Sequence, residues 1–199
     1  MKIADTRKIM KKMEKTLDPK RYEHTLGVAY TASSLAMCYG ADYEKAIVAG
    51  LLHDCAKCMS NEKKLEICDK HNLEISEIER KNLYLLHAKV GSYIARKQFH
   101  IVDRDILNAI LYHTTGRPGM SQLEKIIYIA DYIEPGRRHA PNLPQVRELA
   151  FRDLDEALLK ILEDTLEYLK EIGGTSDPMT QKTYDYYKAY IQIEKRQED

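Results

Sequence analysis

The segment LDEALLKILEDTLEYL, residues 154–169, repeats apolar side chains at intervals of three and four. This spacing gathers the apolar side chains on one face of an α-helix and the charged ones on the other. No stretch of the sequence alternates convincingly with the period of two that a half-buried strand shows. The sequence therefore predicts an all-α fold. The repeat consists of Leu154, Leu158, Ile161, Leu162, Leu166 and Leu169.

Signals that start and stop helices recur along the rest of the chain. Asp-Pro pairs supply an N-cap followed by proline in the first turn, and Ser-x-x-Glu sequences have the form of a capping box. Together they predict one domain over residues 1–199 with about eight to ten helices, a core over about 18–135 and C-terminal helices over 153–195 packed on it. The start signals are Asp18-Pro19, Asp42, Ser76–Glu79, Ser121–Glu124, Pro144, Asp153 and Asp177-Pro178, and the stop signals are Gly40 and Gly173-Gly174.

The charge balance limits the classes of partner. Lys and Arg together number 31, as do Asp and Glu, so no overall field attracts nucleic acid or an acidic membrane. No apolar run approaches the ~20 residues that span a bilayer. The first fifteen residues read as an amphipathic helix without the apolar region of a signal peptide. We expect no membrane partner, no nucleic-acid partner and a cytoplasmic location.

The four cysteines suit that compartment. Cys55 and Cys58 form a C-x-x-C sequence. A redox motif would lie in a βαβ setting and a zinc site would need a second pair of ligands, and the sequence shows neither. Since free cysteine is usually a small buried apolar residue, we expect ordinary thiols.

Six histidine and aspartate residues occupy the edges or interiors of strongly apolar helices. His53 and Asp54 end the run AIVAGLL at residues 46–52, and Asp131 lies inside IIYIADYI at residues 126–133. A buried carboxylate is costly unless a cation or hydrogen bonds compensate its charge. The other members are His24, His87 and His113, on three further helices.

Each of these residues has an ordinary structural explanation when taken alone. A single histidine on an apolar helix is more often a hydrogen-bonded core residue than a ligand. The whole ordered set is much harder to obtain by accident, and we interpret it as a metal site. Mixed imidazole and carboxylate ligands suit iron, manganese or another first-row divalent ion better than calcium.

The ordered pattern resembles the HD-domain superfamily of metal-dependent phosphohydrolases, and within it the YqeK family of bacterial symmetrical diadenosine tetraphosphate hydrolases. The resemblance spans most of the chain. It implies an all-α HD-domain bundle and cleavage of the tetraphosphate into two nucleoside diphosphates by a metal-activated water. The matching stretches are RYEHT (21–25), GLLHDCAK (50–57), LHAKVG (86–91), ILYHTTG (110–116) and KIIYIADYIEPGR (125–137).

The resemblance also implies roles for the six residues. A first metal, with iron expected, would be held by His24, His53, Asp54 and Asp131. Two roles stay open for His87 and His113: ligands of a second metal, or contacts to phosphate oxygens with protonation of a leaving group. The implied catalytic residues are Asp54, His87, His113 and Lys57.

Positive side chains near these residues are candidates for binding phosphate, because hydrolysis of a phosphoanhydride develops negative charge that fixed cations stabilise. The candidates are Arg21, Lys57 and Arg137, although a solvated surface cation is the ordinary explanation for the first two. Thr114, directly after His113, is a further candidate contact. The resemblance also implies that the segment Gly174-Thr175-Ser176-Asp177 closes over the nucleotide, where the following helix start suits a phosphate.

Two other functions stay open on the sequence. One is an HD-type phosphohydrolase that acts on a mononucleotide, and the other is a non-catalytic nucleotide-binding module with a remnant of the pocket. A remnant is expected to lack ligands, whereas all six positions are present here. The expected partner is a nucleotide in each case. The tyrosines at positions 184, 186, 187 and 190 are expected to pack the last helix or to form a homodimer contact, with stacking on adenine as a less favoured alternative.

Overall fold

The structure is a computed structural model that describes residues 5–198, the last two of them by their backbone only. Within that range it contains eleven α-helices, one short 3-10 helix and no strand, so the all-α prediction is confirmed. The α-helices are α1 (Thr6–Thr16), α2 (Pro19–Cys38), α3 (Tyr43–Leu52), α4 (Asn61–Lys70), α5 (Glu77–Lys81), α6 (Leu86–Gln98), α7 (Arg104–Tyr112), α8 (Gln122–Ile133), α9 (Leu143–Ala150), α10 (Leu154–Glu171) and α11 (Pro178–Glu198), with the 3-10 helix at Leu83–Leu85.

Most predicted helix boundaries are confirmed. Asp18 caps α2 with its side chain, and both Ser–Glu capping boxes form, at the starts of α5 and α8. Pro144 lies in the first turn of α9. Gly40 follows α2 with a φ of +66°, a left-handed conformation that glycine adopts without a Cβ clash. Asp5 caps α1, and the first four residues of the predicted amphipathic helix lie outside the described range.

The predicted count of eight to ten helices is too low. The chain between residues 61 and 98 is divided into three α-helices and the 3-10 helix. One of them, α5, has a complete capping box at its start but is only five residues long. A capping box fixes where a helix begins and not how far it continues.

α3 lies at the centre of the bundle. Helices α1, α2, α6, α7 and α8 all pack against it. At the contact with α2, Gly50 allows the two backbones to approach closely, because a Cβ there would lie 2.6 Å from Cα of Ala29. This contact brings His53, at the end of α3, next to His24 on α2. The residues of α3 that are at most 1% exposed are Ala46, Val48, Ala49, Leu51 and Leu52.

The last two helices complete the fold. α10 packs on α8 and α9, and α11 packs along α10. Tyr187 on α11 is buried, and its Oη accepts a hydrogen bond of 2.9 Å from the backbone N–H of Met120. This bond joins α11 to the loop that follows α7. Across the described residues, every helix is too short or too polar to cross a bilayer.

Candidate metal centre

The four residues predicted to hold the first metal lie together, although they come from three parts of the chain. His24 Nε2 lies 3.0 Å from Asp131 Oδ1 and 4.0 Å from Asp54 Oδ2. His53 Nε2 lies 3.5 Å from Asp54 Oδ2 and 4.0 Å from Asp131 Oδ1. The side chains of His53 and Asp54 are at most 3% exposed. α2, the end of α3 and α8 therefore bring two imidazoles and two carboxylates together. Among the described residues, the donor atoms that lie within 4.8 Å of one another form two groups that share His53: one with His24 and Asp131, the other with Asp54 and His113.

His87 and His113 extend this group on its other side. Their Nε2 atoms lie 3.2 Å from each other, and 3.3 Å and 3.5 Å from Asp54 Oδ1. The two oxygens of Asp54 thus face different histidines: Oδ2 faces His24 and His53, and Oδ1 faces His87 and His113. A carboxylate in this position can bridge two cations or join one cation to a phosphate contact.

The second ring nitrogen of each histidine in the cluster is also engaged. Nδ1 of His53, His87 and His113 lies 2.7 Å from the carbonyl oxygen three residues earlier. In His24, Nδ1 lies 3.1 Å from Oε1 of Glu134. Carbonyl and carboxylate oxygens only accept, so Nδ1 carries the proton and the lone pair of a neutral ring lies on Nε2. All four lone pairs then face the cluster.

The cluster contains buried atoms that a cation would satisfy. His24 Nε2, His53 Nε2 and Asp54 Oδ1 are buried without a hydrogen-bond partner. In a neutral His24, Nε2 and the Asp131 oxygen 3.0 Å away both present lone pairs. These repel unless positive charge lies between them, and the separation suits neighbouring ligands of a divalent ion with bonds of about 2.0–2.1 Å. The donor set fits a first-row divalent metal.

The surroundings keep both carboxylates ionised. Burial raises the pKa of Asp54, but protonation of the neighbouring rings, His53 first, would outweigh burial and hold the pKa well below its usual range. A cation held by the neutral rings would supply the same positive charge. Burial also raises the pKa of Asp131, and the contact with His24 and the nearby positive charges lower it by more. Burial lowers the pKa of His87 to about 4. Ionised carboxylates and neutral imidazoles are the forms that bind metals.

Comparison with known proteins identifies the family. The model of the HD domain family matches residues 21–136, a range that contains all six residues of the cluster. The chain belongs to the HD-domain family. Among its relatives, a symmetrical bis(5'-nucleosyl)-tetraphosphatase of Bacillus subtilis is 41% identical over 174 residues, which cover 87% of this chain and 92% of that protein.

Further relatives of this HD-domain protein agree over nearly the whole chain. A protein of the same name from Halalkalibacterium halodurans is 42% identical over 85% of this chain and 89% of its own length. A crystal structure from Clostridium acetobutylicum, described as a predicted HD superfamily hydrolase involved in NAD metabolism, is 45% identical with a TM-score of 0.89. It covers 92% of this chain and 97% of its own. The resemblance recognised in the sequence is confirmed.

The two arginines predicted to bind phosphate both contact acids of the HD-domain cluster. Arg21 Nη1 lies 2.8 Å from Asp54 Oδ2. Arg137 Nη2 lies 2.8 Å from Asp131 Oδ1, and its Nε donates to the backbone oxygen of the same residue. The arginine side chains are 30% and 43% exposed. Each guanidinium is therefore fixed beside the cluster while part of it faces solvent, where an anion can reach it.

Lys57 is the third cation of the HD-domain site. Its Nζ lies 3.1 Å from His87 Nε2 and 3.8 Å from Asp54 Oδ1. An ammonium group only donates hydrogen bonds, so the proton in this pair belongs to Lys57 and the lone pair to His87. The side chain is 33% exposed. Lys57 thus holds a proton next to the cluster.

The cysteines beside Lys57 are free thiols. Cys55 is buried, and burial raises its pKa to about 12, which keeps the thiol protonated. Cys58 is exposed, and its Sγ donates to Asp18 Oδ2 over 3.3 Å. Among the described residues, the groups of donor atoms that could hold a metal include no cysteine.

A cavity of about 340 Å³ is lined by residues that adjoin the two outer histidines in sequence, whereas no residue of the cluster itself is in its wall. Its wall includes Ala88 and Thr114, which directly follow the two outer histidines. Leu85 and Tyr112 add an apolar and aromatic surface, and Asp177, at the start of α11, adds a carboxylate. The structure therefore brings two of the predicted nucleotide contacts, Thr114 and Asp177, to one cavity of mixed polarity.

The rest of the predicted closing segment lies elsewhere. Gly174 and Ser176 line a different cavity, of about 410 Å³, between α10 and α11. Thr175 is exposed. Three residues of this segment are therefore divided between two cavities, Thr175 lines neither of them, and only Asp177 shares a cavity with Thr114.

Sequence analysis assigned no role to Glu134, although it stands in the quoted stretch IADYIEPGR. Its side chain is 5% exposed and contacts His24. The available signal was an acid three residues after Asp131 in an apolar helix. That signal is weak, because Pro135 and Gly136 directly after it are typical of an ordinary helix end.

Proposed function

We propose that this protein hydrolyses diadenosine tetraphosphate symmetrically to two ADP in a metal-dependent reaction. The observation that carries the proposal is the complete cluster of four histidines and two ionised aspartates, with three cations around it. The substrate class is supported by relatives of 41% and 42% identity that are named symmetrical bis(5'-nucleosyl)-tetraphosphatases and align over nearly their whole length.

The metal would be held by His24, His53, Asp54 and Asp131. We propose iron, as the family resemblance implies, with other first-row divalent ions as chemically similar substitutes. A bound divalent ion of this kind lowers the pKa of a bound water to roughly 7 and acts as a Lewis acid. We assign His87 and His113 to a second ion shared through Asp54, because their Nε2 lone pairs suit a cation. The alternative, contact with phosphate oxygens, would require a proton on Nε2.

The chain's own cations have separate tasks in this proposal. Water adds to a phosphorus next to the central anhydride oxygen, the bond from that phosphorus to the bridging oxygen breaks, and each half leaves as a nucleoside diphosphate. Arg21 and Arg137 bind non-bridging oxygens, which carry the developing negative charge. Lys57 donates its Nζ proton to the leaving oxygen and regains the proton that water loses, since His87 presents only a lone pair.

We propose that one nucleoside occupies the cavity of about 340 Å³. Leu85, Tyr112 and neighbouring apolar side chains suit the flat face of a base, whereas Thr114 and Asp177 can hydrogen-bond its edge or the ribose. We also propose that α10 and α11 belong to the same domain as the family-matched residues. The packing of α10 on α8 and the start of α11 at this cavity support that assignment.

Product analysis of the purified, metal-loaded protein tests the function. We expect ADP as the product of diadenosine tetraphosphate, and equal amounts of AMP and ATP would refute symmetrical cleavage. Hydrolysis of mononucleotides alone would favour the broader phosphohydrolase. Binding of nucleotides without turnover would favour the non-catalytic module, which the intact cluster disfavours.

Asp54→Asn tests the cluster. The change keeps the shape of the side chain and removes its charge, so we expect kcat to fall at least about 10³-fold, which corresponds to about 4 kcal/mol. Elemental analysis should show less bound metal. Asp103→Asn is the matched control, because Asp103 is also an acid of limited exposure but caps α7 and binds Lys45 away from the cluster. Undiminished turnover of Asp54→Asn would refute the metal mechanism.

A further inference from the structure

We propose that Glu134 is a positioning residue that fixes the tautomer and orientation of His24 and thereby sets metal affinity. The inference rests on the metal site of the proposed function. Glu134 follows the last residue of α8 and is 4% exposed. Its Oε1 lies 3.1 Å from His24 Nδ1, and its Oε2 accepts a hydrogen bond of 2.5 Å from the backbone N–H of Gly136. Both carboxylate oxygens are therefore engaged in the described structure.

The location of His24 on its helix explains why a carboxylate is needed. His53 and His113 are the C-cap residues that directly follow α3 and α7. At helix ends the last carbonyl groups lack partners within the helix, so these two histidines can donate Nδ1–H to the oxygen three residues earlier. His24 lies in the interior of α2, where the carbonyls are already bonded along the helix. Its Nδ1 instead meets an acceptor from another element, the carboxylate of Glu134.

Two glycines make the space for this carboxylate. A Cβ at Gly27, one turn after His24, would lie 2.5 Å from Glu134 Oε2. A Cβ at Gly136 would lie 2.9 Å from the same atom. Neither glycine has a positive φ among the described residues, so glycine is required there for room and not for backbone conformation. The Glu134 carboxylate therefore fits between the two positions only while neither carries a side chain.

The backbone around Glu134 is also held in place. Arg147 donates from Nη2 to the Glu134 carbonyl oxygen over 3.0 Å, and from Nε to that of Ile133 over 2.9 Å. The carboxylate thus reaches His24 from a fixed position. A carboxylate partner on the outer nitrogen fixes ring orientation and raises the basicity of the ligand nitrogen, and loss of such a partner lowers metal affinity about 10- to 100-fold.

The direct test is titration of the metal-free protein with Co²⁺, read by calorimetry and by the visible absorbance of the bound ion. We expect Glu134→Ala to bind Co²⁺ about 10- to 100-fold more weakly than the natural protein. Gly27→Ala should also bind it more weakly, since its methyl group displaces the carboxylate that remains. Glu23→Gln is the matched control, because Glu23 is an exposed acid next to His24 and should bind Co²⁺ normally.

Rescue with formate separates positioning from general damage. A cavity of about 520 Å³ is lined by His24, Gly27 and Glu134, so a small carboxylate can reach the space that Glu134→Ala opens. Added formate should restore Co²⁺ affinity in that variant and leave the natural protein unchanged. Unaltered Co²⁺ affinity of Glu134→Ala would overturn the proposal, as would an equal loss in Glu23→Gln. Natural protein that binds Co²⁺ without hydrolysing the tetraphosphate would refute the proposed function alone.

Discussion

Replacement of Gly50 by alanine tests the contact that brings α2 and α3 together. The new Cβ would lie 2.6 Å from Cα and 3.0 Å from N of Ala29. Ordinary carbon–carbon contacts are about 3.5–4.0 Å, so the two backbones must separate by roughly 1 Å. A flexible side chain could move aside at little cost, but these are backbone atoms within a helix.

The expected loss of stability follows from two opposing effects. Overpacking a core costs about 1–3 kcal/mol, and replacing a helical glycine by alanine returns about 0.5–1 kcal/mol. We expect the free energy of unfolding to fall by about 1–2 kcal/mol, which lowers Tm by roughly 2–8 °C for a chain of this size. His24 and His53 lie on the separated helices with ring centroids 5.4 Å apart. A displacement of about 1 Å at such a site can reduce turnover by about 10²-fold.

Gly91→Ala provides the control. Gly91 is also a glycine inside a buried helix, α6, but the atoms nearest to its added Cβ are 3.5 Å away, at ordinary contact distance. Only the gain in helix propensity remains, so Tm should stay the same or rise slightly. Thermal unfolding by circular dichroism and turnover of the tetraphosphate check both variants. Equal stability of Gly50→Ala and the natural protein, or an equal loss in Gly91→Ala, would refute the steric argument.

Two further predictions concern stability away from the cluster. Tyr187→Phe leaves the buried N–H of Met120 without its acceptor and should lower the free energy of unfolding in urea by about 1–3 kcal/mol. Tyr186→Phe, whose side chain is exposed, should change it by less than about 0.5 kcal/mol. Similar losses in both variants would contradict the role of the Tyr187–Met120 hydrogen bond. Burial raises the pKa of Asp103, but the contact with Lys45 and the backbone N–H groups of Asp105 and Ile106 together lower it by more. Ionised Asp103 therefore stabilises the fold above the unfolded pKa of about 3.9, and this stabilisation is lost as pH falls through the lower folded pKa. Asp103→Asn, which can still cap α7, should therefore be less stable at pH 7 by about 0.5–1 kcal/mol and approach the natural protein at the lowest pH values, and a difference that does not vary with pH would exclude the ion pair as its cause.

The fold class could be predicted because the signals for helices act over a few residues. The repeat at residues 154–169 and the capping residues of α2, α5, α8 and α10 lie where the helices do. The number of helices could not be predicted as well, because the end of a short helix such as α5 depends on what packs around it. Local sequence marks its start at Ser76 and gives a weaker signal for its end at Asn82.

The cluster of ligands could be predicted in part because an acid is costly in an apolar helix. Asp54 and Asp131 stand out for that reason. The histidines indicate a metal site only when their order along the chain is considered together with the two acids. The division of the closing segment between two cavities could not be predicted. Gly174 and Asp177 are three residues apart in sequence, and their separation depends on how α11 packs against α10.

Glu134 shows where sequence reasoning needed one more physical step. The histidines at helix ends use carbonyls of their own helices, whereas His24, in a helix interior, uses an acceptor from elsewhere. His24 has that acceptor 110 positions away in the chain. The sequence feature that accompanies this contact is Gly27. A glycine inside a helix destabilises it by about 1 kcal/mol relative to alanine, and nothing else on α2 explains its presence there. A glycine one turn after a candidate histidine ligand, and a second glycine two residues after a buried acid, together indicate a carboxylate that needs room beside the ring.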